Sequence, residues 1–245
     1  MASRSRLRLV AAAACGVALA HAAAAGATTG TAPAAFPGMS ISVGENKCTG
    51  AFVLATRSRR ALLATAGHCV DAAARPDKTT PTAGERVWTT SHGPVVTDTT
   101  GRPLGRVTFA ALGTGVDFAL IELARDVTAS NTVPGFGRIT HVNSHPENED
   151  QIRLYGQGVA VAAVAPERTG VVTGVEPSIV RLAIVSVPGD SGGPIYDPSF
   201  GAVGILMGSD ISVTPQAGVI LASRLSVMLT KAARALNVSL TLLQS

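Results

Sequence analysis

Residues 189–194 read Gly-Asp-Ser-Gly-Gly-Pro, and this short stretch decides how the rest of the sequence is interpreted. A serine hydroxyl alone is too weakly acidic to attack a carbonyl group at neutral pH. Acyl-transfer chemistry at Ser191 therefore needs a base that takes the hydroxyl proton and an acid that orients the base. The rest of the sequence has to supply both groups.

Two further segments carry residues of the required types. Residues 65–69, Thr-Ala-Gly-His-Cys, follow an apolar run, and residues 115–121 read Gly-Val-Asp-Phe-Ala-Leu-Ile. The imidazole of His68 can accept a proton because its ordinary pKa lies near 6.5, and the carboxylate of Asp117 can fix its tautomer. Taken singly, each residue is typical of a strand end, a turn or a loop. Together, in this order, they favour a nucleophilic triad over three unrelated structural residues.

The order His, Asp, Ser and the residues around each resemble the chymotrypsin (trypsin-like) serine protease family. The segment 65–69 and the short stretch before Cys48 are most similar to its bacterial, streptogrisin-like branch. The resemblance extends from about Met39 to Asn237 and is strong at the three motifs. It implies an all-β fold of two six-stranded antiparallel β-barrels followed by a C-terminal α-helix.

The same resemblance implies a role for each motif residue. Ser191 is expected to be the nucleophile, His68 the general acid–base and Asp117 its orienting acid. The backbone N–H groups of Gly189 and Ser191 are expected to form the oxyanion hole. A glycine suits position 189 because a Cβ atom would constrain the backbone that directs this N–H group. Catalysis of this kind needs no cofactor and no metal ion.

The substrate pocket is placed by the same comparison. The residue at its base is Val185, with Ser186 beside it, and Gly208 and Gly218 match the small residues of its walls. Binding a Lys or Arg side chain there would desolvate a charge that has no partner. We therefore expect cleavage after apolar residues.

One departure from the family leaves other functions open. Leu206 stands where the family usually has a serine that hydrogen-bonds the triad aspartate. A secreted β-barrel protein with weak or no proteolysis, acting as a binding protein, adhesin or esterase, is therefore an alternative to a protease.

Asp190 needs a partner if it is buried, because a lone buried carboxylate is costly. In many relatives a new N-terminus supplies that partner, but the segment 41–44 precedes Cys48 too closely to reach it. Bacterial relatives use an internal arginine instead. Arg153, a single charge in an apolar run, occupies the matching place, so we predict an Arg153–Asp190 ion pair that forms without activating cleavage.

Short apolar runs separated by turn-rich segments predict many short strands. The alignment of runs and motifs divides the chain into a signal peptide (1–25), a linker (26–38), an N-terminal barrel with His68 and Asp117 (39–130), a connecting segment (131–151), a C-terminal barrel with Ser191 (152–222) and a helix (223–237). We expect Ser223 to cap this helix and Asn237 to adopt the left-handed conformation after it.

The first 25 residues are typical of an export signal. A start with three arginines leads into an alanine-rich apolar stretch, and Ala23–Ala25 fits a small-residue cleavage site. The alternatives are an uncleaved anchor, disfavoured by the weak apolar character of alanine, and a lipid-modified Cys15, which lacks the expected upstream leucine. We therefore predict a secreted protein.

Removal of that signal leaves two cysteines, Cys48 and Cys69. An even number in an oxidising compartment favours a disulfide, although two buried thiols would also fit. A bridge would close a loop of about 20 residues and contribute about 3 kcal/mol. The family resemblance implies this same bridge, beside the catalytic histidine.

Composition restricts the partners. At 46% hydrophobic and 15% charged residues, the chain is too apolar to be disordered. Three of the arginines behind the net charge of +4 belong to the signal, and no basic stripe with aromatics follows, so nucleic acid is not expected as a partner. His141 and His145 lie in a polar segment without a third ligand, which disfavours a metal site. We expect a monomer that acts on a protein or peptide substrate and does not insert stably into a membrane.

Overall fold

The computed structural model describes residues 32–71, 78–82, 84–158, 165–209 and 219–244. The predicted signal peptide lies outside these ranges. The elements up to residue 123 are β1 (Ala34–Ala35), β2 (Ser40–Val43), β3 (Asn46–Thr49), β4 (Val53–Thr56), β5 (Ala61–Thr65), α1 (His68–Asp71), β6 (Lys78–Thr82), β7 (Glu85–Thr89), β8 (Val95–Thr97), β9 (Pro103–Gly113) and β10 (Val116–Leu123). The elements that follow are β11 (Thr128–Ala129), β12 (Thr132–Val133), β13 (Gly137–Arg138), β14 (His141–Val142), β15 (Gln151–Tyr155), β16 (Glu167–Val175), β17 (Ile179–Ala183), β18 (Pro194–Tyr196), β19 (Gly201–Ser209), β20 (Ile220–Arg224), α2 (Leu225–Leu236) and β21 (Leu240–Leu242).

The first sheet has the strand order β21-β4-β5-β10-β9-β8-β2-β3, and the β6–β7 hairpin joins it through β9. Strand β10 lies between β5 and β9, and most of its residues are buried on both faces. This explains why residues 116–123 read as a nearly continuous apolar run instead of an alternating one. The curved sheet forms a half-barrel, with Asp117 near the start of β10.

The second sheet closes on itself. Strand β15 pairs with β16, and pairing continues through β17, β20, β19 and β18 back to β15. Together the two sheets and the helix after them confirm the predicted all-β double-barrel fold with a C-terminal helix. The second barrel is the closed six-stranded one.

Three apolar cores hold this arrangement. One fills the first barrel around Leu63, Trp88 and Ile121, and another fills the second around Leu154 and Leu182. The third draws on both sheets and on helix α2, and it buries Phe52, Phe109, Phe118, Tyr196, Leu225 and Met228. Burying one such side chain contributes about 1.5–3 kcal/mol, so the third core fixes the two barrels against each other.

Helix α2 corrects one prediction and confirms another. Ser223 does not cap the helix: Arg224 occupies the N-cap position without a side-chain cap bond, and Ser223 lies in strand β20. The strand continues two residues further than the sequence pattern suggested. Asn237 ends the helix in the left-handed conformation, with φ of 53°, as predicted.

The predicted linker and connecting segment contain short strands where they are described. Strand β1, within residues 32–38, pairs in parallel with β11. Residues 131–151 contain β12, β13 and β14, and the Asn131 amide bonds both the N–H and the carbonyl group of Val53. None of the described helices combines the length and apolar character needed to cross a membrane.

Candidate active site

His68 stands at the end of strand β5, where it begins the short helix α1. Strand β5 is buried between β4 and β10, and Thr65 lies opposite Ala119 of β10. This register brings the start of β10 beside the residue that follows β5. The imidazole remains accessible, with 43% of its side chain exposed.

Asp117 faces His68 with both carboxylate oxygens. One accepts the backbone N–H of His68 at 2.8 Å, and the other lies 2.6 Å from Nδ1 of the ring. A carboxylate only accepts hydrogen bonds, so the ring proton is on Nδ1 and Nε2 is left as the basic nitrogen. This hydrogen bond raises the pKa of His68 above its ordinary value; burial opposes the rise, and the charge of Asp117 adds to it.

Ser223, which the sequence analysis assigned to a helix cap, instead holds the backbone of Asp117. The buried hydroxyl of Ser223 accepts the Asp117 N–H at 3.1 Å and donates to the Asp117 carbonyl oxygen at 3.1 Å. Leu206, which the sequence comparison placed near the family's serine position, is fully buried in the second core, and its side chain cannot form a hydrogen bond. A hydroxyl from the neighbouring strand β20 thus holds the main chain of Asp117.

Ser191 lies in the turn before strand β18, across the disulfide from His68. The carbonyl oxygen of Ser191 is 3.9 Å from Cys69 Sγ, and His68 Nε2 is 3.7 Å from the same sulfur. The fold therefore brings all three motif residues into one site. Among the hydrogen bonds between described residues, none joins the Ser191 side chain to His68. Catalytic hydrogen bonds are often longer without substrate and shorten in the complex.

The proposed oxyanion donors, Gly189 and Ser191, lie in and directly after a turn formed by residues 187–190. Asp190 N–H donates to the Val187 carbonyl oxygen at 3.1 Å, and Gly189 has φ of +101°, which favours glycine. The N–H groups of Gly189 and Ser191 donate no backbone hydrogen bond to another described residue. Within the described main chain, neither of these two N–H groups is therefore paired.

The Arg153–Asp190 ion pair predicted from the sequence is wrong. Asp190 is fully buried and pairs with Arg168, at 2.7 Å and 2.9 Å. Arg153 instead contacts Glu167 at 3.2 Å. The cause is strand pleating: Ile152 and Leu154 face the core, so Arg153 between them faces away.

Strand register then explains why Arg168 reaches Asp190. Arg168 is the partner of Leu154 across β15 and β16, and paired residues project to the same face of a sheet. Gly156 allows the close approach, since a Cβ atom there would lie 2.1 Å from Asp190 Oδ1 and 2.4 Å from Arg168 Nη2. Arg168 and Val172 are four residues apart and both buried, so they share the inward face of β16.

The predicted disulfide is confirmed: Cys48 and Cys69 are bonded, with Sγ atoms 2.07 Å apart. The bridge ties strand β3 to the helix that presents His68. Donor atoms of Cys48, His68 and Cys69 lie within 4.8 Å of one another, but a disulfide leaves no thiolate to bind a metal ion.

The predicted substrate pocket is described in part. Val185 is 64% exposed and Ser186 is half-buried. Gly208 has no described heavy atom within 4 Å of the place where a Cβ would stand, and its role as a pocket wall stays a prediction. Gly218 lies outside the described residues, so its role in the pocket stays a prediction.

Comparisons with known proteins give structural neighbours only. No family model and no curated protein matches the sequence. The fold is similar to that of Thermobifida fusca protease A (TM-score 0.57, 17% identity, covering 85% of this chain and 99% of that one). It is also similar to Cellulomonas bogoriensis chymotrypsin (TM-score 0.55, 15% identity, 85% and 98%). A third neighbour is a glutamic acid-specific serine protease that uses a histidine triad in substrate binding (TM-score 0.58, 20% identity, 84% and 100%).

These neighbours share one class of fold, the chymotrypsin-like double barrel, as the bacterial resemblance predicted. At 15–20% identity the likeness establishes the architecture of this chain. Its activity has to be argued from its own residues.

Proposed function

We propose that this chain is an exported serine endopeptidase that cleaves peptide bonds through an acyl-enzyme at Ser191. The observation that carries the proposal is the 2.6 Å contact between His68 Nδ1 and Asp117 Oδ2. It fixes the tautomer in which Nε2 can act as a base on the side of the nucleophile loop. The double-barrel fold shared with bacterial serine proteases supports the same conclusion.

The residues account for each step of the reaction. His68 Nε2 takes the Ser191 proton as Oγ attacks the substrate carbonyl carbon, and Asp117 stabilises the resulting imidazolium. The N–H groups of Gly189 and Ser191 bind the oxyanion of the tetrahedral intermediate. His68 then protonates the leaving amine, and the acyl-enzyme forms. Water, deprotonated by the same nitrogen, hydrolyses this ester and restores Ser191.

An apolar residue before the cleaved bond fits the pocket proposal best, because Val185 offers no charge to pair with a basic side chain. His141 gives no support for a preference like that of the glutamic acid-specific neighbour. His141 lies opposite Gly201, which the rise of strand β19 separates from Gly208 by about 20 Å. Export fits the disulfide, since such bonds persist in oxidising compartments.

Labelling with a fluorophosphonate probe tests the nucleophile directly. The probe should modify Ser191, and Ser191→Ala should lose both labelling and peptide hydrolysis while remaining folded. Ser199→Ala, which changes an exposed turn serine, is the matched control and should retain both. Labelling at another residue, or hydrolysis by Ser191→Ala, would refute the assignment.

A second candidate function is favoured by two specific observations. Ser191 and His68 share no hydrogen bond, and Leu206 cannot bond Asp117. A binding protein or an esterase built on the same fold would tolerate both. Parallel assays separate the cases: hydrolysis of esters alone would indicate an esterase, and absence of both hydrolysis and labelling would indicate a binding protein.

A further inference from the structure

Thr49 is a fully buried residue at the end of strand β3 in the first barrel. Its N–H donates to the Ser191 carbonyl oxygen at 2.8 Å, and its hydroxyl donates to the Gly189 carbonyl oxygen at 2.7 Å. The same hydroxyl accepts the Gln157 N–H at 3.2 Å. The N–H and the hydroxyl of Thr49 therefore both form hydrogen bonds to the nucleophile loop, and the hydroxyl also bonds the segment at Gln157.

The two carbonyl groups that Thr49 binds belong to the two proposed oxyanion donors, Gly189 and Ser191. Each carbonyl oxygen fixes the peptide plane on the C-terminal side of its residue. The plane that carries the Ser191 N–H lies between these two fixed planes. Thr49 thus restrains that donor from both sides without touching it.

Gly189 needs such a restraint because its backbone can adopt alternatives. The turn from Val187 to Asp190 has the positive φ of a type II turn at its third residue. A flip of the peptide between Pro188 and Gly189 would give a type I turn, which Pro188 tolerates equally well. That flip would point the Gly189 N–H away from the substrate. Glycine has no side chain to oppose it. The Thr49 hydroxyl bonds the carbonyl group on the other side of Gly189, so it fixes the peptide plane between Gly189 and Asp190 and does not hold the flipping plane itself.

The Arg168–Asp190 pair acts on a different part of the loop. It holds the Asp190 side chain, which also accepts the N–H groups of Val187 and Gly158 at 2.8 Å. The carbonyl groups of Gly189 and Ser191 are bound by Thr49. The two restraints are therefore separate, and they can be tested separately.

We propose that Thr49 is the positioning residue of the oxyanion hole, with its hydroxyl fixing the peptide plane that follows Gly189 and thereby the direction of the Ser191 N–H toward the substrate. This rests on the proposed endopeptidase function. Apart from that function, the proposal concerns the order of the loop: removal of the hydroxyl frees the Gly189 carbonyl group, and the segment 189–192 then samples further orientations.

Three variants test the proposal on the purified full chain. Thr49→Val removes the hydroxyl at nearly constant shape and leaves the backbone bond to Ser191. Thr49→Ser keeps the hydroxyl. Thr56→Val is the matched control, because Thr56 is also buried and its hydroxyl accepts a backbone N–H, that of Arg60 at 3.0 Å.

Kinetics should separate positioning from a general loss of structure. Thr49→Val should lower kcat by about tenfold to a hundredfold, less than the 10²–10³ that follows removal of an oxyanion donor itself, and should change KM by less than about twofold. A peptide boronate, which forms a tetrahedral adduct, should bind more weakly by a similar factor. Thr49→Ser should restore kcat to within about threefold, and Thr56→Val should keep kcat and KM. A folded Thr49→Val protein with unchanged kcat, or with a loss confined to KM, would overturn the proposal.

Amide NMR provides a readout that does not need turnover. Exchange broadening at Gly189 and Ser191 should increase in Thr49→Val and not in Thr49→Ser or Thr56→Val. Should the unsubstituted chain hydrolyse nothing, the proposed function fails while this measurement still decides the role of Thr49. Unchanged loop dynamics in Thr49→Val would refute that role even in an active enzyme.

Discussion

Arg168 and Asp190 face each other in the protein interior, joined by two parallel hydrogen bonds of 2.7 Å and 2.9 Å. The arginine comes from strand β16 of the second barrel, and the aspartate directly precedes Ser191. The nucleophile loop is therefore anchored by an ion pair that forms within residues 156–190. Ile41, the first residue of the segment that was expected not to reach Asp190, is buried in strand β2.

Removing one partner of this pair should be strongly destabilising. Arg168→Met would leave Asp190 as a buried, unpaired carboxylate, and the free energy of unfolding should fall by about 3–5 kcal/mol. Arg153→Met is the matched control, since Arg153 is partly exposed and surface pairs contribute about 0–1 kcal/mol. Urea denaturation measures both. A larger loss for Arg153→Met than for Arg168→Met would contradict the assignment.

The pH dependence of hydrolysis should report the His68–Asp117 hydrogen bond. Only neutral imidazole can take the Ser191 proton, so kcat/KM should rise with pH through the pKa of His68. Because Asp117 raises that pKa, the midpoint should lie above the ordinary value of about 6.5. In Asp117→Asn the rate should fall and the midpoint should move to lower pH. A midpoint that Asp117→Asn leaves in place would show that another group titrates.

The raised pKa of His68 affects stability in the opposite direction to activity: stability falls, and hydrolysis rises, as the pH increases. A pKa raised by folding stabilises the folded state below the unfolded pKa, and this contribution is lost as pH rises through the folded pKa. Hydrolysis should therefore reach its plateau where the His68–Asp117 interaction no longer contributes charge-dependent stability. Thermal denaturation of the unsubstituted protein and of His68→Gln across pH 5–9 measures this contribution. The difference in melting temperature between the two proteins should become smaller as the pH rises.

Ser223 should matter to both folding and catalysis. In Ser223→Ala the buried N–H and carbonyl groups of Asp117 lose their side-chain partner, at a cost of about 1–3 kcal/mol. A looser Asp117 should also lower kcat. Ser226→Ala, in the first turn of α2, is the control and should change neither. Wild-type kcat in a folded Ser223→Ala protein would show that the neighbouring strands alone hold Asp117.

The disulfide should contribute measurably to stability. Replacing both Cys48 and Cys69 with alanine should lower the free energy of unfolding by about 3 kcal/mol, as expected for a loop of this length. Peptide mapping without reduction should find the two cysteines joined in secreted protein. Two thiols open to alkylation in native material would contradict the bridge.

Cleavage specificity tests the pocket proposal. A peptide library should show preference for apolar residues before the cleaved bond, because a basic side chain at Val185 would lose water without gaining a partner. Val185→Asp should increase cleavage after Lys or Arg relative to apolar residues. A wild-type profile led by Lys or Arg would contradict both the preference and the alignment that places Val185 at the pocket base.

The fold and the proximity of the three motif residues were predictable because short sequence motifs carry the resemblance to a known fold. The partner of Asp190 was not, since choosing between Arg153 and Arg168 requires the pleat and register of β15 and β16. The apolar residues on either side of Arg153 indicated that it faces outward, and that signal outweighs its position in the chain.

Thr49 and Ser223 were missed for a different reason. Both act through hydrogen bonds to backbone atoms, of Gly189 and of Asp117. Backbone atoms are present at every position, so such contacts leave no residue pattern to detect. Ser223 was also assigned to a helix cap, the common place for a serine before an apolar helix, because the extent of β20 could not be predicted from sequence.

Strand β21 determines when the histidine half of the site can mature. It pairs with β4, and Leu243 N–H then bonds the Val53 carbonyl oxygen at 2.9 Å. During synthesis β4 emerges early, whereas β21 emerges only after the second barrel and helix α2. The sheet behind His68 thus keeps an open edge until the serine half has been made. The first sheet of a nascent chain therefore cannot be complete before the residues of the second sheet have been synthesised, so the proposed active site cannot be complete until both halves have left the ribosome.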